Sequence, residues 1–246
     1  MPNAIDRIAA DVRGLGIQPD DTLLVHSSLK SLGWVDGGAE TVIRALIGCL
    51  PEGTLLMPAL NWEAVTRDSP KFSVLNTPTC VGLITETFRK YPGAVRSMHP
   101  THSVCAYGVN ADIITAGHYM DRTPVGAHSP FRLLRKYAGK IMMLGCGLSP
   151  NTFMHGVEEN ANLPYVLEPE PTKIYMEDIN GAVHEAYYYM HDFRGIVQRY
   201  DRAAECVNVR RGKVLDADVY IMDAAELWDA AGEKLIGDPW FFVDKE

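Results

Sequence analysis

The sequence has few of the features that mark a redox protein or a disulfide-stabilised one. Its 246 residues contain five cysteines, an odd number, and no two of them form a Cys-x-x-Cys pair. We therefore expect free thiols that pack as small apolar side chains. Cys146 lies beside the best candidate site described below, so a role for it as a nucleophile stays open as an alternative.

Basic residues are also scarce, and they are scattered along the chain. The 23 lysines and arginines are outnumbered by 31 acidic residues, which gives a formal net charge of -8. Nucleic acid and anionic membranes both require clustered positive charge, so neither is expected as a partner, whereas a cationic substrate suits this balance. No apolar run approaches the ~20 residues of a membrane span, and the first residues lack the layout of a signal peptide. The expected location is the cytoplasm.

Three well-known motifs are absent from the sequence. The first is His-Glu-x-x-His, a zinc-binding motif. His99 and His102 could suggest a metal site, but Pro100 lies between them and disfavours a regular helix. We therefore expect no metal site. There is no Gly-x-x-x-x-Gly-Lys phosphate loop. There is no Gly-x-Ser-x-Gly elbow either, which weakens a hydrolase with Ser27 or Ser28 as nucleophile but leaves it as an alternative.

Short apolar strands alternate with amphipathic helices along most of the chain, and this alternation predicts an α/β fold. The expected strands are 22–25, 54–57, 104–108 and 141–144. The expected helices are 3–16, 38–50, 81–91, 111–118, 131–137 and 223–231. The stretch 59–79 has no periodicity and is interpreted as a substrate-side flap, because long irregular loops in compact domains are usually functional or mobile.

The pattern changes after residue 160. Two strands, 172–176 and 183–190, flank Asp178-Ile179-Asn180-Gly181, which is typical of a hairpin turn. Together with return strands near 207–209 and 219–222, they predict an antiparallel appendage to the sheet. We interpret residues 1–246 as a single domain in which 160–220 form a substrate-side subdomain.

The most site-like stretch runs from Leu144 to Glu159, where a buried strand ends and a helix begins. His155 and Glu158 are three residues apart, so they share one helix face, and the carboxylate can orient the imidazole and raise its basicity. His155 is therefore a candidate general base. The alternative is a solvated contact on the face of a helix.

A second loop follows the strand that ends at Val25. It carries serine hydroxyls, Lys30 and, further on, two glycines before the helix 38–50, so donors converge as they would around a phosphate. An ordinary serine-rich helix cap is the alternative reading. Ligands of α/β sheets gather at such strand ends, which brings this loop and the His155 stretch together.

In order and spacing these pieces resemble the aminoglycoside 3-N-acetyltransferase family, the antibiotic N-acetyltransferases. The resemblance rests on short motifs spread over most of the chain: Val25-His26-Ser27-Ser28-Leu29, Gly37-Gly38, Gly53-Thr54-Leu55-Leu56-Met57-Pro58, Arg96-Ser97-Met98-His99-Pro100, Ser129-Pro130 and the pair His155 and Glu158. It implies a layered α/β/α fold with a central mixed sheet and an antiparallel C-terminal extension. It also implies acetyl transfer from acetyl-coenzyme A to an amine of an aminoglycoside or related amino sugar.

The resemblance assigns roles to particular residues. The catalytic base would be His155, with Glu158 as its support. The residues that would hold acetyl-coenzyme A are His26, Ser27, Ser28, Leu29, Lys30, Ser31, Leu32, Gly33, Arg96 and Ser97. The residues that would meet the amine substrate are His99, Asn151, Glu63 and Asp192.

The chain departs from the family pattern where the acceptor would be chosen. Ala59 replaces the threonine that many relatives carry after Met-Pro, and both the flap and the region beyond residue 160 match poorly. The resemblance therefore supports acetyl transfer more strongly than an antibiotic acceptor. A catalytically silent coenzyme A-binding protein and a serine hydrolase are the alternative functions, and a homodimer is left open.

Overall fold

The structure is a computed structural model that describes residues 3–246. Its strands, in chain order, are β1 (Thr22–Ser27), β2 (Thr54–Pro58), β3 (Lys71–Ser73), β4 (Val95–Arg96), β5 (Val104–Gly108), β6 (Lys140–Leu144), β7 (Thr172–Glu177), β8 (Val183–Tyr188), β9 (Ile196–Gln198), β10 (Arg210–Val214), β11 (Ala217–Asp223) and β12 (Val243–Lys245). Its α-helices are α1 (Ala4–Gly14), α2 (Gly38–Cys49), α3 (Leu83–Arg89), α4 (Ala111–Ala116), α5 (Pro130–Leu133), α6 (Phe153–Asn160) and α7 (Ala224–Gly237).

A seven-stranded mixed sheet forms the centre of the fold, in the order β10-β11-β6-β1-β2-β5-β4. Strand β1 pairs in parallel with both β2 and β6, and the remaining pairs in this sheet are antiparallel. At the end of the sheet next to β6, β11 and β10 form the antiparallel C-terminal extension. The predicted fold class is therefore confirmed.

Alternate residues of the central strands face two different helical layers. Leu23 and Val25 of β1 belong to a core shared with α1, α2 and α3, whereas Leu24 belongs to a core shared with α4, α6 and α7. Neighbouring side chains on a strand point to opposite faces, so a strand covered on both sides must be apolar throughout. This explains the apolar runs 23–25 in β1 and 141–144 in β6, and it gives the α/β/α layering.

The parallel pairing of β1 and β6 brings two functional loops to one edge of the sheet. Ser27 is level with Leu144 in the register, and the Ser28 amide donates to the Leu144 carbonyl at 2.9 Å. Both strands therefore end together, and the loops that follow them start side by side. The sequence-based expectation that these strand ends meet is correct.

The predicted hairpin forms, but its partner differs from the one expected. Strands β7 and β8 pair antiparallel, and the Asp178 carboxylate accepts from the amides of Asn180 and Ala182 within the turn. The hairpin joins β3 of the flap in a separate three-stranded sheet. Phe72 and Ile174 lie in its small core, so the flap and the hairpin are packed as one unit.

Some boundaries also differ from the expectation, among them that of a return strand. The return strand predicted at 207–209 lies at Arg210–Val214, whose charged residues are exposed because β10 is an edge strand. The segment 160–220 therefore contains the outlying strands β7–β9 and also β10, which belongs to the central sheet. The role of this segment as a substrate-side subdomain stays a prediction. Among the described residues, no helix is long and apolar enough to cross a membrane.

Candidate active site

Helix α6 carries His155 and Glu158 on its buried face. The loop 145–152 leads into it from β6, and Gly145 has a φ of +72°, a conformation that favours glycine. Gly156 sits between the two candidate residues, and a Cβ there would lie 2.6 Å from Val125 and 2.9 Å from the Trp228 ring. The absence of a side chain at Gly156 therefore lets α6 pack closely against α7.

A tyrosine hydroxyl connects His155 to Glu158. The Tyr200 oxygen lies 2.7 Å from His155 Nδ1 and 2.5 Å from Glu158 Oε2, whereas Nδ1 and Oε2 themselves are 3.8 Å apart. An ionised carboxylate can only accept, so Tyr200 donates to Glu158 and accepts from Nδ1–H of His155. The expectation of a direct hydrogen bond between His155 and Glu158, which came from the helix spacing, is therefore wrong. With the proton on Nδ1, the lone pair on Nε2 of His155 is free.

Glu158 is fully buried, and two tyrosines compensate for that burial. Tyr165 donates to Oε1 at 3.1 Å, in addition to the Tyr200 bond to Oε2. Burial, together with the charge of Glu158, raises the pKa of both tyrosines above the ordinary value, and that of Tyr200 rises far above it. Both phenols therefore remain hydroxyl donors to the carboxylate.

Two further histidines surround His155. His191 lies with its ring centroid 4.5 Å from that of His155, and its Nε2 is 2.8 Å from Glu159 Oε1. His102 lies 4.6 Å from His191, and its Nδ1 is 2.9 Å from the Thr101 hydroxyl. Burial lowers the pKa of His102 and His191 well below 6.5, and their histidine neighbours lower it further, so both rings are neutral at pH 7.

Glu159 is buried in different surroundings from Glu158. Its Oε1 accepts from the Val125 amide at 2.8 Å as well as facing His191. Burial raises the pKa of Glu159 to about 7. This carboxyl group therefore changes its charge close to physiological pH.

Two cavities meet at His155. The larger has a volume of about 490 Å³ and the smaller about 230 Å³. The walls of both include four residues: Leu60, Trp62, His155 and Gln198. A single imidazole therefore faces two compartments, one on the side of the β1 and β6 loops and the other on the side of the flap and the small sheet.

The start of the predicted coenzyme A loop lines the smaller cavity. His26 and Ser27 both face it, and His26 Nε2 accepts from the Thr152 amide at 3.1 Å, which ties the two loops together. Burial lowers the pKa of His26 to about 3, so its ring is neutral. His26 Nδ1 and the Ser27 hydroxyl oxygen are buried and have no hydrogen-bond partner within residues 3–246.

The rest of that loop supports its shape. Ser31 donates to the Gly145 carbonyl at 2.7 Å and lies 3.0 Å from the Ser28 hydroxyl. Leu32 is buried in the core and Leu29 packs against it. Gly33 turns the chain with a φ of +76°, and Lys30 is exposed. Of these residues, only Lys30 has a cationic group that solvent and a phosphate can reach, and its role stays a prediction.

Arg96 and Ser97 both have partners within the protein, and their predicted role in holding the cofactor stays a prediction. Arg96 donates to the carbonyls of Val74 at 3.1 Å and Thr77 at 2.7 Å, so its guanidinium holds the flap. Burial lowers its pKa to about 10. The Ser97 hydroxyl lies 2.8 Å from His118 Nδ1 and accepts from the Val104 amide.

The residues expected to bind the amine are not gathered at one place. His99 is fully buried and stacks on His118 with ring centroids 4.7 Å apart, outside the walls of both cavities. Glu63 is exposed and Asp192 pairs with Arg194 at 2.6 Å, and neither lines a cavity. Asn151 is buried beside the smaller cavity's Thr152, and both of its amide atoms lack a partner in the described part of the chain.

Several residues of the site could not be identified from the sequence pattern. Tyr200 lies 45 positions beyond His155, and no local motif marks it or His191. Cys146 lines the smaller cavity, but burial raises its pKa to about 11, so it stays a thiol and not the reactive thiolate.

A mixed α/β sheet with two compartments that meet at one histidine is an arrangement that suits an enzyme acting on two bound molecules. The sequence profile of the aminoglycoside 3-N-acetyltransferase family matches residues 24–236, and the chain belongs to that family. Its members are acyltransferases, and acetyl-coenzyme A is their acyl donor. The predicted family, enzyme class and donor are confirmed.

Curated relatives agree with this assignment. The chain is 33% identical over 186 residues to the SPbeta prophage-derived aminoglycoside N(3')-acetyltransferase-like protein YokD of Bacillus subtilis, an alignment that covers 67% of each chain. It is 29% identical over 258 aligned positions to aminoglycoside N(3)-acetyltransferase VII of Streptomyces paromomycinus, covering 91% of this chain and 88% of the relative.

Solved structures are similar over almost the whole chain. YokD from Bacillus subtilis aligns with a TM-score of 0.82 at 29% identity, covering 97% of this chain and 95% of that one. AAC-IIIb, solved with coenzyme A, has a TM-score of 0.79 at 25% identity over 95% and 96% of the two chains. A histidine-to-alanine variant of AAC(3)-IVa in complex with gentamicin has a TM-score of 0.83 at 25% identity over 98% and 92%.

Proposed function

We propose that this protein transfers the acetyl group of acetyl-coenzyme A to an amine of an aminoglycoside or related amino sugar, with His155 as the general base. The observation that carries the proposal is the position of His155 in the shared wall of two cavities. A base placed there reaches a donor on one side and an acceptor on the other. The membership of the acetyltransferase family supports the same reaction.

The base acts through its free Nε2. An amine bound as ammonium has no lone pair, so Nε2 first takes one proton and the neutral amine then attacks the thioester carbonyl carbon. The carbon–nitrogen bond forms and the carbon–sulfur bond breaks. The nitrogen still carries two hydrogens after the attack and releases one proton to water as the amide forms, while the sulfur leaves as a thiolate that takes its proton from the imidazolium. Glu158 stabilises that imidazolium through the Tyr200 hydroxyl while keeping the ring in the required tautomer.

The smaller cavity fits the donor's thioester end. His26 and Ser27 present polar atoms without partners there, and hydrogen bonds to such buried atoms are favourable because they remove an uncompensated desolvation cost. A volume of about 230 Å³ is too small for a whole coenzyme, so its nucleotide lies outside, where exposed Lys30 is the candidate phosphate partner.

The larger cavity fits the acceptor. Its walls come from the flap, through Trp62 and Arg67, and from the segment 160–220, through His191 and Phe193. These are the two regions in which the chain departs most from the family pattern. This position supports the interpretation of the segment 160–220 as the substrate side of the domain.

One observation favours a second class of acceptor. Glu168 is the one carboxylate in the described wall of the larger cavity, and Arg67 already pairs with it at 2.6 Å. An aminoglycoside carries several ammonium groups and needs several carboxylates to replace their hydration. A monoamine with an apolar body requires only one neutral base, and Trp62 and Phe193 offer apolar contacts to its remaining surface.

The alternatives derived from the sequence have less support. The Ser27 hydroxyl has no partner and the Ser28 hydroxyl lies against Ser31, so neither serine bonds to His155 as a hydrolase nucleophile must. A silent coenzyme A-binding protein has no need for the buried chain from Glu158 through Tyr200 to His155. Acetyl transfer uses all three residues.

An acceptor screen tests the proposal. Free thiol and acetylated product are measured with acetyl-coenzyme A and four panels: aminoglycosides, simple amino sugars, polyamines and aromatic monoamines. We expect thiol release that depends on the added amine and matches the product formed. Release without any amine would indicate hydrolysis, and tight donor binding without turnover on any panel would indicate a silent protein.

Location and assembly stay predictions. We propose the cytoplasm because acetyl-coenzyme A is produced and used there. A homodimer is the assembly left open by the sequence, and light scattering at several concentrations distinguishes it from a monomer.

A further inference from the structure

Three histidines in the larger cavity point ring nitrogens at one another. His102, His155 and His191 each offer one nitrogen, and these three atoms all lie within 4.8 Å of one another. All three rings line the cavity; His102 and His155 are buried and His191 is partly buried. Neutral imidazole is the most common protein ligand for divalent transition metals.

The opposite nitrogen of each ring is held by a polar partner. His102 Nδ1 contacts the Thr101 hydroxyl, His155 Nδ1 contacts Tyr200, and His191 Nε2 contacts Glu159. The distances are 2.9, 2.7 and 2.8 Å respectively. Metal-binding histidines almost always have such a partner, because it fixes the tautomer and aims the other nitrogen at the ion.

By elimination the free nitrogens are Nε2 of His102, Nε2 of His155 and Nδ1 of His191. The last of these is buried and has no hydrogen-bond partner in the described chain. His99, which the sequence placed beside His102 as the other conceivable ligand, stacks on His118 and is not part of the trio. The residues that meet are therefore ones that no sequence motif connects.

We propose that His102, His155 and His191 form a binding site for one divalent transition-metal ion such as zinc, with cavity water as the fourth ligand, and that this ion inhibits the enzyme. The inhibition rests on the proposed function, since an ion on Nε2 of His155 occupies the lone pair that removes the substrate proton. The site is of the open kind, with three protein ligands and one free position.

The spacing sets the character of this site. Zinc–nitrogen bonds of about 2.0–2.1 Å in tetrahedral geometry place ligand nitrogens roughly 3.4 Å apart. The rings must therefore close by about 1 Å around the ion, which small side-chain rotations in an open cavity permit. We infer reversible binding and not a permanent structural metal, so chelator treatment leaves the apoenzyme active.

The test uses cobalt as a spectroscopic probe of the chelator-treated protein. Cobalt ions are added while their visible d–d absorption is recorded, and we expect saturation at one equivalent. His102→Ala and His191→Ala should each weaken binding at least about tenfold, since even the loss of a partner behind a ligand costs that much. His184→Ala is the matched control, because His184 is an exposed histidine paired with Asp178.

Each variant is first checked for an unchanged circular dichroism spectrum, and the use of two separate ligand variants covers the loss of either one to misfolding. Absence of one-equivalent binding by the intact protein would overturn the proposal. So would binding that survives in both ligand variants, or binding that is lost in His184→Ala. Either of the first two results would indicate that the three imidazoles form a pocket with no affinity for the metal.

A measurement of enzyme activity distinguishes the metal site from the proposed function. Zinc should inhibit acetyl transfer, and a chelator should restore it. If His155→Ala kept normal turnover while cobalt binding still depended on His102 and His191, the metal site would stand and the assignment of the base would fall. If His155→Ala lost turnover and cobalt did not bind, the base would stand and the metal site would fall.

Discussion

Glu158 and Glu159 are consecutive residues of one buried helix, yet they have opposite surroundings. Glu158 accepts two tyrosine hydroxyls and reaches His155 through one of them. Glu159 accepts a backbone amide and faces His191, and burial raises its pKa to about 7. Successive positions on a helix differ by about 100°, so the two carboxylates point at different neighbours.

The difference shows how one helix can support two kinds of histidine. On the Glu158 side, two tyrosine hydroxyls satisfy the buried carboxylate, and one of them links it to the His155 ring. On the Glu159 side, one backbone amide and His191 are the partners of the buried carboxylate, so its neutral form is favoured and it serves as part of the cavity wall. We therefore assign proton transfer to the Glu158 side and cavity shape to the Glu159 side.

The largest expected effect comes from removing the base itself. His155→Ala should lower turnover by about a hundred- to ten-thousandfold, because general-base catalysis contributes about that much. Acetyl-coenzyme A affinity, measured by calorimetry, should change little, since the donor's proposed main contacts are with the loop that follows β1. The matched variant His191→Ala should lose much less turnover. Equal losses of turnover in the two variants would contradict the assignment of different roles to His155 and His191.

A smaller loss is expected when the charge on the Glu158 side is removed. Glu158→Gln keeps the shape but loses one charge-assisted hydrogen bond, worth about 1.5–3 kcal/mol, so the rate should fall roughly ten- to a hundredfold. The ratio of kcat/KM between the wild type and the variant measures this loss, and an unchanged kcat/KM would contradict the assignment.

The sequence predicted the frame of this site but not its connections. The apolar runs of β1 and β6 and the spacing of His155 and Glu158 were sufficient to predict the helix and its candidate base. Tyr200 could not be found, because its approach depends on a long-range fold and it sits in a short 3₁₀ segment with no motif. The direct bond between His155 and Glu158 was inferred from spacing alone, and a hydroxyl fills that gap.

The small sheet was only half predictable for a similar reason. The hairpin turn has a local signature, so β7 and β8 were found from the sequence. Strand β3 has three residues and pairs with β7 about a hundred positions later, and a strand that short carries no periodic signal. The same distance hid the flap contacts of Arg96, whose motif position suggested a ligand-binding role.

The smallest expected effect on turnover belongs to Glu159→Gln, whose effect appears in stability. The pKa of Glu159 rises from 4.5 to about 7 on folding, so the folded state holds this proton more tightly and the wild type loses stability as pH rises through that range. The shift corresponds to at most ~3 kcal/mol. Glutamine does not titrate, so the variant should gain on the wild type in denaturation experiments between pH 5 and pH 8. A constant difference across that range would contradict the raised pKa.

The central claim is that Glu158 acts on His155 through the hydroxyl of Tyr200. The most direct measurement is a double-variant cycle of kcat/KM with Tyr200→Phe, Glu158→Gln and the two combined. Each substitution interrupts the same series of hydrogen bonds from Glu158 through Tyr200 to His155. The account therefore predicts that kcat/KM of the combined variant falls little more than that of the worse single variant, about ten- to a hundredfold. Losses that multiply would show that the two residues act independently, and the relay would then be wrong.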